Sequence, residues 1–193
     1  MNYTREPALP FLFSTHMGTI KKHPPVKAFA GITFQTEKQL VSALDKLSST
    51  FGTIDIKSEI FSFDRFTDYY QAEMGSGLQK ILVSFKTCVP VSYLPKMKIK
   101  TNQLEETFRV NGRRSVNMDP GYLTMAKVVL ATTKDYIHRL YLSDGIFGDL
   151  HLTFKNGTYR AQPWTYPDYS QELVETFFLK MRSVYHQKTV ENL

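Results

Sequence analysis

An α+β fold is predicted, one domain built on an antiparallel or mixed sheet with helices covering one face. Three observations predict it. Segments of strand period follow one another without regular helical crossovers, helical stripes stand near each end, and two Asx-Gly pairs mark tight hairpins. Each element can be justified in order.

Val26, Ala28, Ala30, Ile32 and Phe34 alternate with Lys27, Phe29, Gly31 and Thr33, the period of a strand. Thr36-Glu37-Lys38-Gln39 forms a capping box, and behind it Leu40, Val41, Ala43, Leu44, Leu47 and Phe51 recur at helical spacing, with Gly52 as a stop. Thr53–Phe63 reads as a second strand whose apolar face switches from Ile54, Ile56 and Ile60 to Phe61 and Phe63, as at a bulge. Leu78, Ile81, Leu82 and Phe85 fit a helical stripe, while Val83 and Val89 leave a strand open. Pro90 and Pro95 break the next segment, and Asn102–Glu105 caps a short helix through Phe108.

Ser115–Met118 is extended. Pro120-Gly121 suits the two central positions of a type II turn, with Asp119 at its first corner. Tyr122–Thr133, rich in β-branched residues, then reads as one central strand, with a helix as the alternative. Asp144-Gly145 and Asn156-Gly157 bracket a strand over Ile146–Phe154. The last helix runs from about Asp168 to His186, its buried stripe made by Leu173, Val174, Phe177, Phe178, Met181, Val184 and Tyr185.

The 193 residues divide into a flexible leader over 1–25, ending in His23-Pro24-Pro25, a single domain over 26–187, and a short tail over 188–193. One cysteine, Cys88 in an apolar setting, excludes an internal disulfide framework and reads as a buried, inert thiol. Ala8–Phe13 is too short and too Pro-broken for a signal-peptide core, and no run has the length of a membrane span. A cytoplasmic protein without membrane contact is expected. The net charge of +6 favours anionic partners, and the 14 Phe and 11 Tyr suit core edges and binding clefts alike.

Known cofactor motifs do not supply the chemistry. There is no phosphate loop, no dinucleotide fingerprint, no HExxH pair and no GxSxG elbow. His151-Leu152-Thr153 matches one HxT element of the two-histidine phosphoesterases, which need two. The stretch richest in candidates is Gly112–Arg139. It sets Arg113, Arg114, Asn117, Asp119, Lys134, Asp135, His138 and Arg139 at the two ends of the apolar run Tyr122–Leu130. Several of the candidates have a structural alternative. Arg113 and Arg114 can be a solvated pair or an ion-pair donor to Glu73 or Glu105, Asp119 can stabilise its turn, Asp168 can cap the last helix, and Trp164 can edge the core.

Five motifs together are similar to a known family. They are FxxFTDYYxxEMG over Phe63–Gly75, KxxTNxLE over Lys98–Glu105, GRRxVNxDPGYL over Gly112–Leu123, LATTKDYxHRxYL over Leu130–Leu142, and WTYPDY over Trp164–Tyr169. From about Val26 to Tyr185 the chain resembles an uncharacterised prokaryotic family, domain of unknown function 4416. The resemblance implies a single domain with no established activity. The family's recurring polar residues map to Asp68, Tyr70, Glu73, Asn102, Glu105, Arg114, Asn117, Asp119, Lys134, Asp135, His138, Arg139, Trp164 and Asp168. His151 departs from the acidic or small residue the family more usually places there, which weakens the phosphoesterase reading.

The expected function is binding of a phosphorylated or nucleotide-like anion, with enzymatic action on it left open. Arg114, Lys134 and Arg139 would clamp it. Glu73, Asp119 and His138 are the acid/base candidates, and Asn102, Glu105, Asn117, Trp164 and Asp168 the further ligand contacts, with Tyr166 beside Trp164 as a wall. No metal-ligand set is read, although the carboxylates leave a hard cation such as Mg²⁺ open. The alternatives are an RNA- or nucleotide-binding module without catalysis, and a protein-interaction module.

Overall fold

The computed structural model describes residues 19–191; most of the expected leader (1–18) and the last two residues of the expected tail lie outside the described residues. Among the described residues nine strands form one antiparallel sheet. The strands are β1 (Lys27–Phe34), β2 (Ile54–Lys57), β3 (Phe61–Ser62), β4 (Gln79–Phe85), β5 (Asn117–Leu123), β6 (Lys127–Thr132), β7 (Arg139–Ser143), β8 (Ile146–Lys155) and β9 (Thr158–Ala161). Their order is β2-β4-β1-β5-β6-β8-β7, with β3 also on β4 and β9 also on β8. The helices are α1 (Glu37–Phe51), α2 (Gln71–Met74), α3 (Leu94–Glu106) and α4 (Glu172–Glu191). The fold is α+β, as the sequence predicts.

Alternation along β1 creates two cores. Ala28, Ala30, Ile32 and Phe34 meet Leu40, Ala43 and Leu47 of α1 and Met97 of α3. Phe29 turns the other way, with Leu82, under Val174, Phe177, Phe178, Met181 and Tyr185 of α4. Helices therefore cover both faces rather than one. The Thr36 capping box forms as expected, Thr36 Oγ1 accepting from Gln39 N–H while Gln39 Oε1 accepts from Thr36 N–H. Both Asx-Gly hairpin turns also form, with positive φ at Asp144, Gly145, Asn156 and Gly157.

Several local expectations are corrected. The second strand is two short ones, β2 and β3, with an irregular register between Ile54 and Ile56. The stretch after Leu78 is strand β4, because both of its faces are buried between helical layers and it pairs with both β1 and β2. Pro95 does not break a helix but sits in the first turn of α3, where a missing N–H costs no bond. Tyr122–Thr133 is a hairpin, β5 and β6 around Thr124–Ala126, closed by a Thr124 N–H bond to Lys127 O and by Thr124 Oγ1 accepting from Ala126 N–H. Neither Gly nor Pro marks that turn. Cys88 is half-buried rather than buried.

One further correction positions the site. Pro120-Gly121 is not a turn; it lies inside β5, opposite Ala30 and Phe29 of β1. The ladder between β5 and β6 holds only Gly121–Leu123 against Val128–Leu130. It stops one residue short of Pro120, which offers no N–H to a ladder. Beyond that point β5 stays with β1 while β6 stays with β8, and the sheet parts into a notch. Gly121 serves close packing: a Cβ there would come within 2.5 Å of the Phe29 ring and 2.6 Å of Val129 O.

Candidate functional site

Two adjoining lobes open at this notch. The polar lobe, about 420 Å³, runs between the parted strands, with Asn117 and Asp119 on one side, Leu130–Lys134 on the other, and α3 supplying Lys98, Asn102, Glu105 and Glu106. The aromatic lobe, about 250 Å³, is walled by Phe63, Tyr69, Tyr70, Tyr136 and Tyr166, with Lys80 and Asp168 among its lining. Asp119 and Lys134 line both lobes, as do Tyr69, Tyr70 and Tyr166.

Arg114 organises the polar lobe. Its Nε and Nη2 donate to the two oxygens of Glu73 at 3.2 and 2.8 Å, and Nη1 donates to Glu105 at 2.9 Å and to Asn117 Oδ1 at 2.8 Å. Of the alternatives open for Arg114, the ion-pair donor is realised, to both carboxylates. Asn117 passes the network on, its Nδ2 donating to Asp119 Oδ2 at 2.7 Å, while Lys98 Nζ donates to Asp119 Oδ1 at 3.3 Å. Glu105 also accepts from Met118 N–H at 2.7 Å, which ties α3 to β5.

The electrostatics follow from this wiring. Hydrogen bonds from Arg114 hold the Glu73 carboxyl below its ordinary value. Burial pushes Glu105 up despite Lys98 nearby. Burial also acts to raise Asp119, but Lys98, Lys80 and the Asn117 amide outweigh it, so this carboxyl is lowered and stays ionised at neutral pH. Burial raises the hydroxyls of Tyr70 and Tyr166, the latter to about 12, with the Asp119 charge adding to both.

The aromatic lobe rests on a buried ion pair. Lys80 Nζ donates to Asp168 Oδ2 at 2.6 Å, both side chains 2 % exposed, with Phe63 and Tyr169 rings 5.1 and 4.8 Å from the nitrogen. Asp168 lies in a 3-10 turn ahead of α4 and takes this lysine, rather than opening the helix as a cap. Arg139 donates to Asp149 at 3.0 Å, to Lys134 O at 3.1 Å and to Tyr166 Oη at 3.3 Å, and is buried. Lys134 is exposed, and its ammonium donates to Tyr69 Oη, 4.5 Å from that ring's centroid.

Nine of the eleven expected site residues come together here. Glu73, Asn102, Glu105, Arg114, Asn117, Asp119 and Lys134 line the polar lobe, and Arg139 and Asp168 the aromatic one. His138 and Trp164 do not join them. They stack on each other with centroids 4.7 Å apart, and Trp164 Nε1 donates to Leu150 O. His151 is fully buried; its Nε2 accepts from Tyr166 N–H at 3.0 Å, so the proton sits on Nδ1, 3.4 Å from Asp149 Oδ1. It therefore anchors the Tyr166 backbone. Sequence reasoning missed Lys80, Phe63 and Tyr69. For Lys80 a signal existed: a charge at an inward position beside the apolar run Ile81–Val83.

Among the described residues no group of three or more His, Cys, Asp or Glu side chains is placed to hold a metal ion, and no helix is long and apolar enough to cross a membrane. Fold and site together define a single-domain α+β protein with a two-lobed cleft at a parting of its sheet. Residues 24–185 match the family model described as Domain of unknown function (DUF4416), and the chain belongs to that family. No curated protein and no solved structure matches it.

Proposed function

We propose that the cleft binds a small anionic ligand that carries a flat ring, of the nucleotide type. The observation that carries this reading is the meeting of an aromatic and a polar lobe at two opposite charges, Lys134 and Asp119. The ring lies among Tyr69, Tyr70 and Tyr166, which offer apolar faces with hydroxyl rims. Lys134, the exposed cation at the junction, takes the anion. Arg114 and Arg139, whose donors are engaged with protein oxygens, hold the walls instead of the ligand. Glu73 and the ionised Asp119 accept from hydroxyl or amino groups, and Asp119 is the base if a reaction follows. Two lobes of about 420 and 250 Å³ suit a compact ligand rather than a run of RNA backbone.

Thermal shift and calorimetry with adenosine, nucleoside monophosphates and ribose 5-phosphate test this. The monophosphates are expected to bind best. Lys134→Ala should weaken them by roughly 10- to 100-fold, the loss of a charge-assisted hydrogen bond. Tyr166→Ala should weaken adenosine and monophosphate alike, and His138→Ala, outside the cleft, should change neither. Failure of every compound to bind, or binding indifferent to Lys134→Ala and Tyr166→Ala, overturns the proposal.

A further inference from the structure

The sheet ends at β7, which pairs with β8 alone among the described residues. This edge and the loop before it carry an unusual run of exposed apolar side chains. Ile137 is 105 % exposed, Leu140 75 %, Tyr141 63 %, Tyr136 55 % and Leu142 42 %. Edge strands are ordinarily guarded by charges, prolines or covering segments, because their free backbone groups invite another strand. Here the strand's one charged residue, Arg139, is turned inward onto Asp149. Among the described residues an irregular register at Leu142 is the guarding feature, and it leaves Arg139–Tyr141 regular.

The geometry points to a second copy of this chain as the partner, paired edge to edge through β7 about a two-fold axis. Two features select this occupant. First, the edge is complementary to itself. With Arg139 turned inward, antiparallel pairing about a two-fold axis at Tyr141 sets Arg139 against Ser143, Leu140 against Leu142 and Tyr141 against its own copy, so no like charges are opposed. Second, the exposed apolar area is of the order a stable dimer draws on. Five large side chains at these exposures present on the order of 700 Å² per copy, close to the ~800 Å² that each partner contributes to a standard interface. The pairing also borders the cleft, because Tyr136 belongs to both the exposed run and the aromatic lobe.

Sedimentation velocity of the full chain, from micromolar to submillimolar concentration, tests the pairing. A concentration-dependent dimer is expected. Leu140→Lys and Ile137→Asp, both at exposed positions, should each raise its dissociation constant roughly 30-fold or more, counting a hot-spot loss in an interface that repeats each residue. Circular dichroism and thermal unfolding should match the parent at concentrations where both are monomeric. With Cys88→Ser, Tyr141→Cys should give an interchain disulfide on mild oxidation. A chain that is monomeric throughout, including one whose edge is occupied by another protein or by its own N-terminal residues, overturns the proposal. So does a dimer that persists in both charge variants.

Discussion

Replacing Asp168 with alanine would leave the Lys80 ammonium buried without its carboxylate. The pair is 2.6 Å long and each side chain is 2 % exposed, so water does not compensate the loss. Breaking such a pair from one side costs about 3–5 kcal/mol. The Phe63 and Tyr169 rings still face the nitrogen, and ring contacts to a desolvated cation are worth up to about 2 kcal/mol, which places the expectation near the lower end. For a chain of this size a loss of ~3 kcal/mol lowers Tm by roughly 6–12 °C. Urea unfolding followed by the fluorescence of the single Trp164 reads the free energy directly. The paired replacement Lys80→Met with Asp168→Leu removes both charges and should recover most of the loss. A cost below about 1 kcal/mol for Asp168→Ala, or a double variant no more stable than the single one, would refute the reasoning.

Three further outcomes are expected. His151 has its imidazole lowered below its ordinary value of 6.5 by burial, so on acidification the unfolded chain takes up the proton first. Stability should therefore fall as pH drops through 6.5 toward the folded-state value, and His151→Gln should flatten that part of a urea-midpoint profile. Asp149 beside it is lowered by His151 and Arg139, against burial, and acts only in the more acidic carboxylate range, which separates the two. Gly121→Ala should destabilise by about 2 kcal/mol or more, since its Cβ meets a ring and a carbonyl at once; an unchanged Tm would contradict the Phe29 packing. Arg114→Lys cannot span Glu73, Glu105 and Asn117 together and should cost roughly 2 kcal/mol, seen as a lower urea midpoint, and a loss near zero would show the network to be dispensable.

Much of the site is legible in the sequence because its polar residues have no local reason to be where they stand. Glu73, Asn102, Glu105, Arg114, Asn117, Asp119 and Lys134 are scattered along the chain, and one lobe collects them. His138 and Trp164 carry the same kind of signal but face each other outside the cleft, since a sequence shows that a side chain is polar and not which way its backbone turns it. Lys80 escapes notice for the converse reason: its neighbours make an apolar stripe, and the partner that makes a buried lysine tolerable, Asp168, is 88 residues away.

By itself, the sequence determined the elements whose causes are local. Thr36 and Gln39 cap a helix with their own side chains, and Asp144-Gly145 and Asn156-Gly157 turn because their backbones accept positive φ. The alternation in β1 required two packing partners whatever those proved to be. Tertiary structure decided the rest. Pro120-Gly121 reads as a turn in isolation, and only β1 alongside holds it extended. Ile81–Phe85 has no preference strong enough to choose, and burial on both faces makes it a strand. The cleft belongs to this second class. It exists because the ladder between β5 and β6 stops beside Pro120 while each strand keeps its other neighbour, a competition among pairings that no single segment encodes.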